Sequence, residues 1–369
     1  MKVLFLGAGA SLKAGYPSAS ILLDELRSQA RQSHDSAVQE DWATYENFAR
    51  STTGALNRVM QNPNPEVVLS LLDLLQTARE NEHQDWWSLL KLRGQPVEDE
   101  TLTRIRNPPW KSEPQEFEQV ELARRALLRS LDHLFWWRHV EDWREAGTSS
   151  RAYLHHEFES LQPGDVIVTT NWDSLAERVL LEKGLWTPAD GYGFEVLLET
   201  IPAWNEPSRA IQDTSAITVL KLHGSFGWYV GGRDQLYLSR ARFLQHLPLR
   251  QGDQEVAYKD SLEPKLPSSS DLPAVVYPTY LKRLEYRQIQ RIWSRAVGAP
   301  SRADEFQAIG YSLPSSDTAI RVLLNPLRER HECGQVRIIV TNPDHEALER
   351  WRSLLGEGIA VRDRPIGED

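Results

Sequence analysis

Short apolar segments that run directly into a glycine or polar turn are the feature that most constrains the fold of this chain. The first is Lys2–Leu6, which ends at Gly7, and others follow at 165–170, 217–222, 306–311 and 336–341. Buried parallel strands are apolar along their whole length, and their carboxyl ends open into loops that line a ligand crevice. The pattern therefore predicts an α/β fold, a Rossmann-like parallel sheet flanked by helices.

The stretch from 29 to 161 has the apolar spacing of helices instead of strands. Apolar residues recur there at every third or fourth position, for example at Val67, Val68, Leu71, Leu72 and Leu75. This spacing places them on one face of a helix, and no convincing strand pattern interrupts it. We therefore predict a sheet domain made of 1–28 and 162–369, with 29–161 as a large helical insertion.

The charge and cysteine content argue against several classes of partner and site. With a formal net charge of -10, a general affinity for nucleic acid or anionic membrane is not expected, because phosphate binding needs an excess of Lys and Arg. Cys333 is the only cysteine, so no cysteine-based zinc site can form and no metal is predicted. The apolar start is too short for a signal peptide and no run could span a membrane, so we expect a cytoplasmic protein.

The turn after the first strand consists of small residues, namely Gly7, Ala8, Gly9, Ala10 and Ser11. Backbone N–H groups in such a turn can approach the oxygens of a pyrophosphate. Residue 12 is Leu and no second strand ends in an acid at the usual spacing, so a dehydrogenase is disfavoured. The alternative is a tight strand–helix turn that binds no ligand.

Polar residues that could carry chemistry follow two later strands. Thr170, Asn171 and Asp173 come at the end of one strand, where they should face the same crevice as the glycine turn. The alternative is that Asn171 and Asp173 only cap the next helix near Ser174. His223 ends another strand and is a candidate general base, since histidine exchanges protons near neutral pH, although most lone histidines are structural.

The turns, in this order, resemble the motifs of the silent information regulator two (sirtuin) superfamily. Residues 7–17 (GAGASLKAGYP) resemble the sirtuin element GAG-x-S-x-x-x-G-I-P, residues 170–173 (TNWD) resemble Q-N-x-D, and residues 222–224 (LHG) resemble H-G. Residues 310–312 (GYS) match a later G-T/Y-S turn, and residues 341–342 (TN) match a late strand-end I-N. The resemblance covers roughly half of the chain.

Two departures from the sirtuin pattern bear on the activity that the resemblance implies. The four-cysteine zinc module of the deacylases cannot exist here, and Ser18-Ala19-Ser20 stands where they have D-F-R. The helical insertion and the sequence GYSLP-x-S-D at 310–317 are more similar to bacterial sirtuin-like NAD hydrolases associated with antiphage defence. That resemblance implies NAD consumption, often gated by oligomerisation or by a regulatory protein partner.

The resemblance also implies roles for individual residues. Asn171 would bind the ribose hydroxyls or the attacking water, His223 would accept a proton, and Asp173 would orient this group. The glycine turn would hold the pyrophosphate, with further NAD contacts from Gly15, Pro17, Thr170, Gly310, Ser312 and Asn342. Two alternatives stay open, a module that senses NAD or a related nucleotide without cleaving it and, less favoured, a protein deacylase.

A separate pattern is a row of four arginines at Arg283, Arg287, Arg291 and Arg295. Their spacing of four stacks them on one face of a helix. The row is either a solvated surface stripe or a contact for a partner or nucleic acid, and we base no function on it.

Overall fold

The structure is a computed structural model, and its strands are numbered here in chain order. It describes residues 1–51, 67–72, 114–144, 152–187, 190–194, 197–198, 215–231, 235–238, 250–251, 254–255, 273–276, 287–315 and 317–364. None of the helices in these ranges is long and apolar enough to cross a membrane.

A six-stranded parallel sheet is the framework of the fold. Its strands are β1 (Lys2–Leu6), β2 (Val166–Thr169), β4 (Thr218–Lys221), β10 (Glu305–Ile309), β11 (Arg337–Thr341) and β12 (Ala360–Arg362). They lie in the order β12-β11-β10-β1-β2-β4, and every neighbouring pair is parallel. The predicted Rossmann-like parallel sheet flanked by helices is confirmed.

The central strand β1 explains why the apolar runs form a sheet of this kind. Val3, Leu4 and Phe5 have no exposed surface, so both faces of the strand are covered. The ring of Phe5 packs against Tyr311, with 5.0 Å between ring centroids. Burial of a large apolar side chain contributes about 1.5–3 kcal/mol, so strands covered on both faces are favoured only when they are apolar throughout.

Helices flank the sheet, and all of the described helices lie between β1 and β12 along the chain. They are α1 (Leu22–Gln32), α2 (Ser36–Ser51), α3 (Pro114–Arg144), α4 (Ala152–Glu157), α5 (Leu175–Glu182), α6 (Arg287–Gly298), α7 (Thr318–Leu324), α8 (Pro326–Glu332) and α9 (His345–Leu355). In α6 the buried residues Ile289, Ile292, Trp293 and Ala296 recur at helical spacing. Of the arginine row, Arg287, Arg291 and Arg295 are exposed on this helix, and Arg283 lies outside the described residues.

A second sheet has four strands and is smaller. It consists of β3 (Leu197–Leu198), β5 (Gly224–Gly231), β6 (Gln235–Leu238) and β9 (Pro273–Val275), in the order β3-β6-β5-β9. The remaining pair, β7 (Arg250–Gln251) and β8 (Gln254–Glu255), forms a two-stranded ladder. Because β5 begins directly after β4, this sheet fixes where the chain goes when it leaves the carboxyl end of β4.

The chain divides into two compact units. One contains Met1–Tyr16 and Phe135–Asp369 and holds all of the parallel sheet, and the other contains Pro17–Leu134. Within the second unit the described residues are mainly helical, and Arg129 is paired with Asp41 of α2. The sequence-based boundaries, with 1–28 and 162–369 as the sheet domain and 29–161 as the insertion, stay a prediction.

Candidate functional site

The carboxyl ends of five parallel strands lie in one row at the same edge of the large sheet. Leu6 is paired with Ile309 on one side and with Thr169 on the other. Thr169 in turn is paired with Lys221, and Ile309 with Thr341. Each of the candidate turns begins directly after one of these five residues. The structure therefore places the candidate turns along a single edge.

Among the candidate residues, Asn171 has the most completely defined side-chain hydrogen bonds. It is 9% exposed, and its side-chain nitrogen donates to Gly7 O at 3.0 Å and to Ser11 Oγ at 3.1 Å. Gly7 O can only accept, which fixes the orientation of the amide. The other amide atom, Oδ1, is buried and has no hydrogen-bond partner among the described residues. The side chain can therefore act on a bound molecule only as an acceptor.

Asp173 links the turn after β2 to the glycine turn and to the next helix. Its Oδ2 accepts from Ser11 Oγ at 2.8 Å, and its Oδ1 accepts from Leu175 N at 3.0 Å at the start of α5. The helix-capping alternative is therefore right for one oxygen of Asp173, while Asn171 makes no such bond. The other oxygen of Asp173 accepts from Ser11 Oγ, and Ser11 Oγ in turn accepts from the amide nitrogen of Asn171.

A buried ion pair lies directly behind Asp173. Lys221 Nζ is 2.8 Å from Glu177 Oε1, and neither side chain has any exposed surface. Lys221 also donates to the backbone oxygen of Asp173, and Tyr192 Oη donates to Glu177 Oε1 at 3.2 Å. Burial raises the pKa of the Glu177 carboxyl, and the Lys221 ammonium opposes that effect. Neither Glu177 nor Lys221 was predicted as a site residue, although a lysine inside an apolar strand is the signal that could have indicated the pair.

A small cavity connects these groups. Its polar lining consists of Ser11, Thr169, Asn171, Asp173 and Glu177. Its volume, about 10 Å³ for the centre of a water molecule, is close to the smallest that holds one water. Asn171, the candidate catalytic residue, and the buried Glu177 therefore line one small space.

His223 lies on the neighbouring strand end, but it does not line this cavity. It is 3% exposed, and its backbone oxygen accepts from Val276 N at 2.8 Å. Gly224 follows with φ +72°, and a Cβ on it would overlap Ala274 O, so only glycine fits this turn. The structure thus brings Asn171, Asp173 and Ser11 together and leaves His223 beside them, outside their shared cavity.

The glycine turn packs tightly against the turn after β10. Gly7 N donates to Ile309 O and Gly9 N donates to Gly310 O, both at 2.9 Å. A Cβ on Gly7 would lie 2.5 Å from Tyr311 Cα, and one on Gly9 would lie 2.8 Å from Gly310 Cα. Close packing alone therefore requires both glycines, and their N–H groups are already bonded within the protein. Pyrophosphate binding by this turn stays a prediction.

The contact between the two turns gives a stability prediction with a matched control. Gly310 and Gly334 have similar left-handed backbones, with φ of +66° and +70°. A Cβ on Gly310 would overlap Ala10 N, whereas one on Gly334 would meet nothing within 4 Å. We expect Gly310→Ala to lower the free energy of unfolding by about 2 kcal/mol more than Gly334→Ala. Urea unfolding of the two variants measures the difference, and equal losses would contradict the interlocked turns.

The other candidate contacts with NAD are scattered over the edge of the sheet. Thr170 N donates to Leu6 O at 3.2 Å, and Asn342 is buried with its Oδ1 accepting from Asp344 N at 2.9 Å. Ser312 is exposed, and its backbone oxygen accepts from Arg350 Nε at 2.8 Å. The rest are the exposed residues Ala8 and Gly15, the buried Ala10, and Pro17, which belongs to the other compact unit. None of these seven residues is joined to Asn171 by a described hydrogen bond.

No group of three or more His, Cys, Asp or Glu side chains arranged for a metal ion occurs in the described ranges. The absence of a metal site stays a prediction, and metal analysis of the purified protein tests it.

A comparison with models of protein families shows which family the chain belongs to. A family model for the SIR2-like domain matches residues 165–356, just over half of the chain. The chain belongs to the SIR2-like family. The matched region of this SIR2-like chain contains Asn171, Asp173, Glu177, Lys221 and His223, and membership of the family implies NAD binding.

Several solved Sir2 structures are similar to this SIR2-like chain at low identity. A Sir2 homologue in complex with NAD has 13% identity and a TM-score of 0.39, with 99% of this chain and 84% of that chain covered. A mutant Sir2 homologue in complex with 2'-O-acetyl ADP-ribose has 15% identity and a TM-score of 0.39, with 99% and 87% covered. A comparison with curated proteins gives no match. The family assignment therefore rests on the match to the domain model.

Proposed function

We propose that this SIR2-like chain hydrolyses NAD to nicotinamide and ADP-ribose. The observation that carries the proposal is the buried amide of Asn171, whose two hydrogens are bound by Gly7 O and Ser11 Oγ. Its Oδ1 is left as an acceptor at the carboxyl edge of the parallel sheet, where α/β folds bind their ligands. An acceptor with a fixed direction suits a ribose hydroxyl or an attacking water, which both donate.

The chemistry of the substrate matches what this side chain can do. When the bond between nicotinamide and ribose breaks, its electron pair goes to the ring nitrogen and the cationic nicotinamide leaves as a neutral molecule. A water oxygen then bonds to the ribose carbon and loses one proton. Asn171 would orient the water or a ribose hydroxyl, and His223 would accept the proton. The electron pair, the leaving group and the proton are all accounted for in this reaction without a metal or a further cofactor.

One observation favours a second candidate function, the binding of NAD or a related nucleotide without cleavage. His223 does not line the cavity that Asn171 lines. A site in which the base and the positioning amide stay apart can hold a ligand and turn nothing over. Protein deacylation is the less favoured alternative, since Cys333 alone cannot form the zinc module of the deacylases.

A nicotinamide-release assay separates these functions. We expect purified protein to release nicotinamide and ADP-ribose from NAD in equal amounts, with no dependence on an added acetyl-lysine peptide. Binding of NAD in calorimetry without nicotinamide release at any protein concentration would favour the sensor. Release that requires the peptide would identify a deacylase.

The assay should be run over a series of protein concentrations. We propose that this protein acts as an NAD-depleting antiphage effector in the cytoplasm and that assembly of copies or a regulatory protein switches it on. A specific activity that rises with protein concentration supports self-assembly as the trigger. A constant specific activity would oppose it.

A further inference from the structure

The polar side chains that line the cavity beside Asn171 have only hydrogen-bond acceptors left over. Asn171 Oδ1 and Glu177 Oε2 are both buried and have no partner among the described residues. The two hydroxyls in the lining already donate hydrogen bonds within the protein. Ser11 Oγ donates to Asp173 Oδ2 at 2.8 Å, and Thr169 Oγ1 donates to Leu6 O at 3.1 Å. Buried acceptors without donors cost about 1–3 kcal/mol each, so an occupant that donates is favoured.

The arrangement around Glu177 explains why one of its oxygens has no hydrogen-bond partner among the described residues. Lys221 Nζ at 2.8 Å and Tyr192 Oη at 3.2 Å both approach the same oxygen, Oε1. Oε2 is therefore left without a partner, and Glu177 lines the cavity together with Asn171. Since the Lys221 ammonium already neutralises the carboxylate, a neutral donor suits the site better than a cation.

We propose that the cavity binds one ordered water that donates one hydrogen bond to Asn171 Oδ1 and the other to Glu177 Oε2. The available space of about 10 Å³ can hold one water, and a water has the two O–H donors that the two unpartnered acceptors need. Glu177, held by Lys221 and Tyr192, thereby becomes a positioning residue for the candidate catalytic amide. Its effect on catalysis rests on the proposed NAD hydrolysis, whereas the water site does not.

Single substitutions of Glu177 would leave Lys221 as an unpaired charge in the interior, which can prevent folding. The test therefore compares two double variants that both carry Lys221→Met, one with Glu177→Gln and one with Glu177→Leu. Both remove the buried charges and the bond from Lys221 to Asp173 O. Only the Gln variant keeps an oxygen for Tyr192 and a polar group facing the cavity.

We expect the Leu variant to have a kcat for NAD cleavage about tenfold below that of the Gln variant, with a similar KM, because a loosened amide misplaces the reacting groups. A role in stability alone would not lower kcat in one of two equally folded variants, and thermal unfolding verifies that both are folded. Equal kcat values would overturn the positioning role.

A crystal structure of the unaltered protein at a resolution that shows ordered water tests the site independently of activity. We expect one water within about 2.7–3.2 Å of both Asn171 Oδ1 and Glu177 Oε2. A cation at shorter distances, or a cavity without bound water, would overturn the proposal. If the protein releases no nicotinamide, the proposed function fails and the crystal structure alone decides whether the water site exists.

Discussion

Replacing Asn171 with alanine is expected to lower the rate of nicotinamide release from NAD by about a hundredfold or more. The substitution removes Oδ1, one of two buried acceptors without a partner that belong to residues lining the polar cavity. It also removes the donor from Gly7 O, and a buried carbonyl left unpaired costs about 1–3 kcal/mol of stability. The variant should therefore be assayed well below its unfolding temperature, after a thermal melt shows that it is folded.

A matched control separates loss of this amide from loss of any asparagine. Asn325 is exposed between α7 and α8, so Asn325→Ala makes the same chemical change away from the candidate site. We expect its rate of nicotinamide release to equal that of the unaltered protein. An Asn171→Ala variant that is folded and cleaves NAD at the same rate as the control would remove Asn171 from the mechanism.

His223→Ala is expected to reduce NAD cleavage by a similar factor, about a hundredfold or more. A general base works only in its unprotonated form, so the rate of the unaltered protein should fall as the pH is lowered. The variant should lose that acid limb of the pH profile as well as most of its rate. Steady-state rates of nicotinamide release across the pH range measure both effects.

His345→Ala is the corresponding control, because His345 is exposed and pairs with Asp363 away from the cavity. It should keep both the rate and the acid limb. Full activity in His223→Ala would exclude the general-base role, in agreement with the position of His223 outside the cavity lining. Asn171 and the water site would then have to carry the reaction without this histidine.

The large sheet could be predicted because five of its six strands are buried apart from their first residue. The apolar run at 165–170, for example, became β2 at Val166–Thr169, with all but its first residue buried. The edge strand β12 (Ala360–Arg362) could not be predicted in the same way, since its residues are exposed or half-buried and carry no apolar run. Its pairing with β11 depends on backbone hydrogen bonds, which do not restrict the residue types of the strand.

The candidate site was predictable in its location and less so in its contacts. Strand ends in a parallel sheet must meet at one edge, so Asn171 and His223 could be placed at the same edge from sequence alone, whereas the adjacency of their strands comes from the structure. The bond from Ser11 to Asp173 and the pair of Glu177 with Lys221 join residues far apart in the chain, which no local pattern reveals. The glycines of the first turn were ambiguous because phosphate binding and close packing both exclude a Cβ.

The position of β1 between β10 and β2 has a consequence for how a newly made chain acquires the site. On one side β1 has no neighbour until synthesis reaches Glu305, where β10 begins. At the usual rates of translation the ribosome needs roughly 15–60 s to add the intervening residues. Until then the turns at Gly7 and Gly310 cannot interlock, and pairings of such high contact order form late and slowly. A nascent chain with this topology therefore cannot assemble the candidate site before β10 has been synthesised.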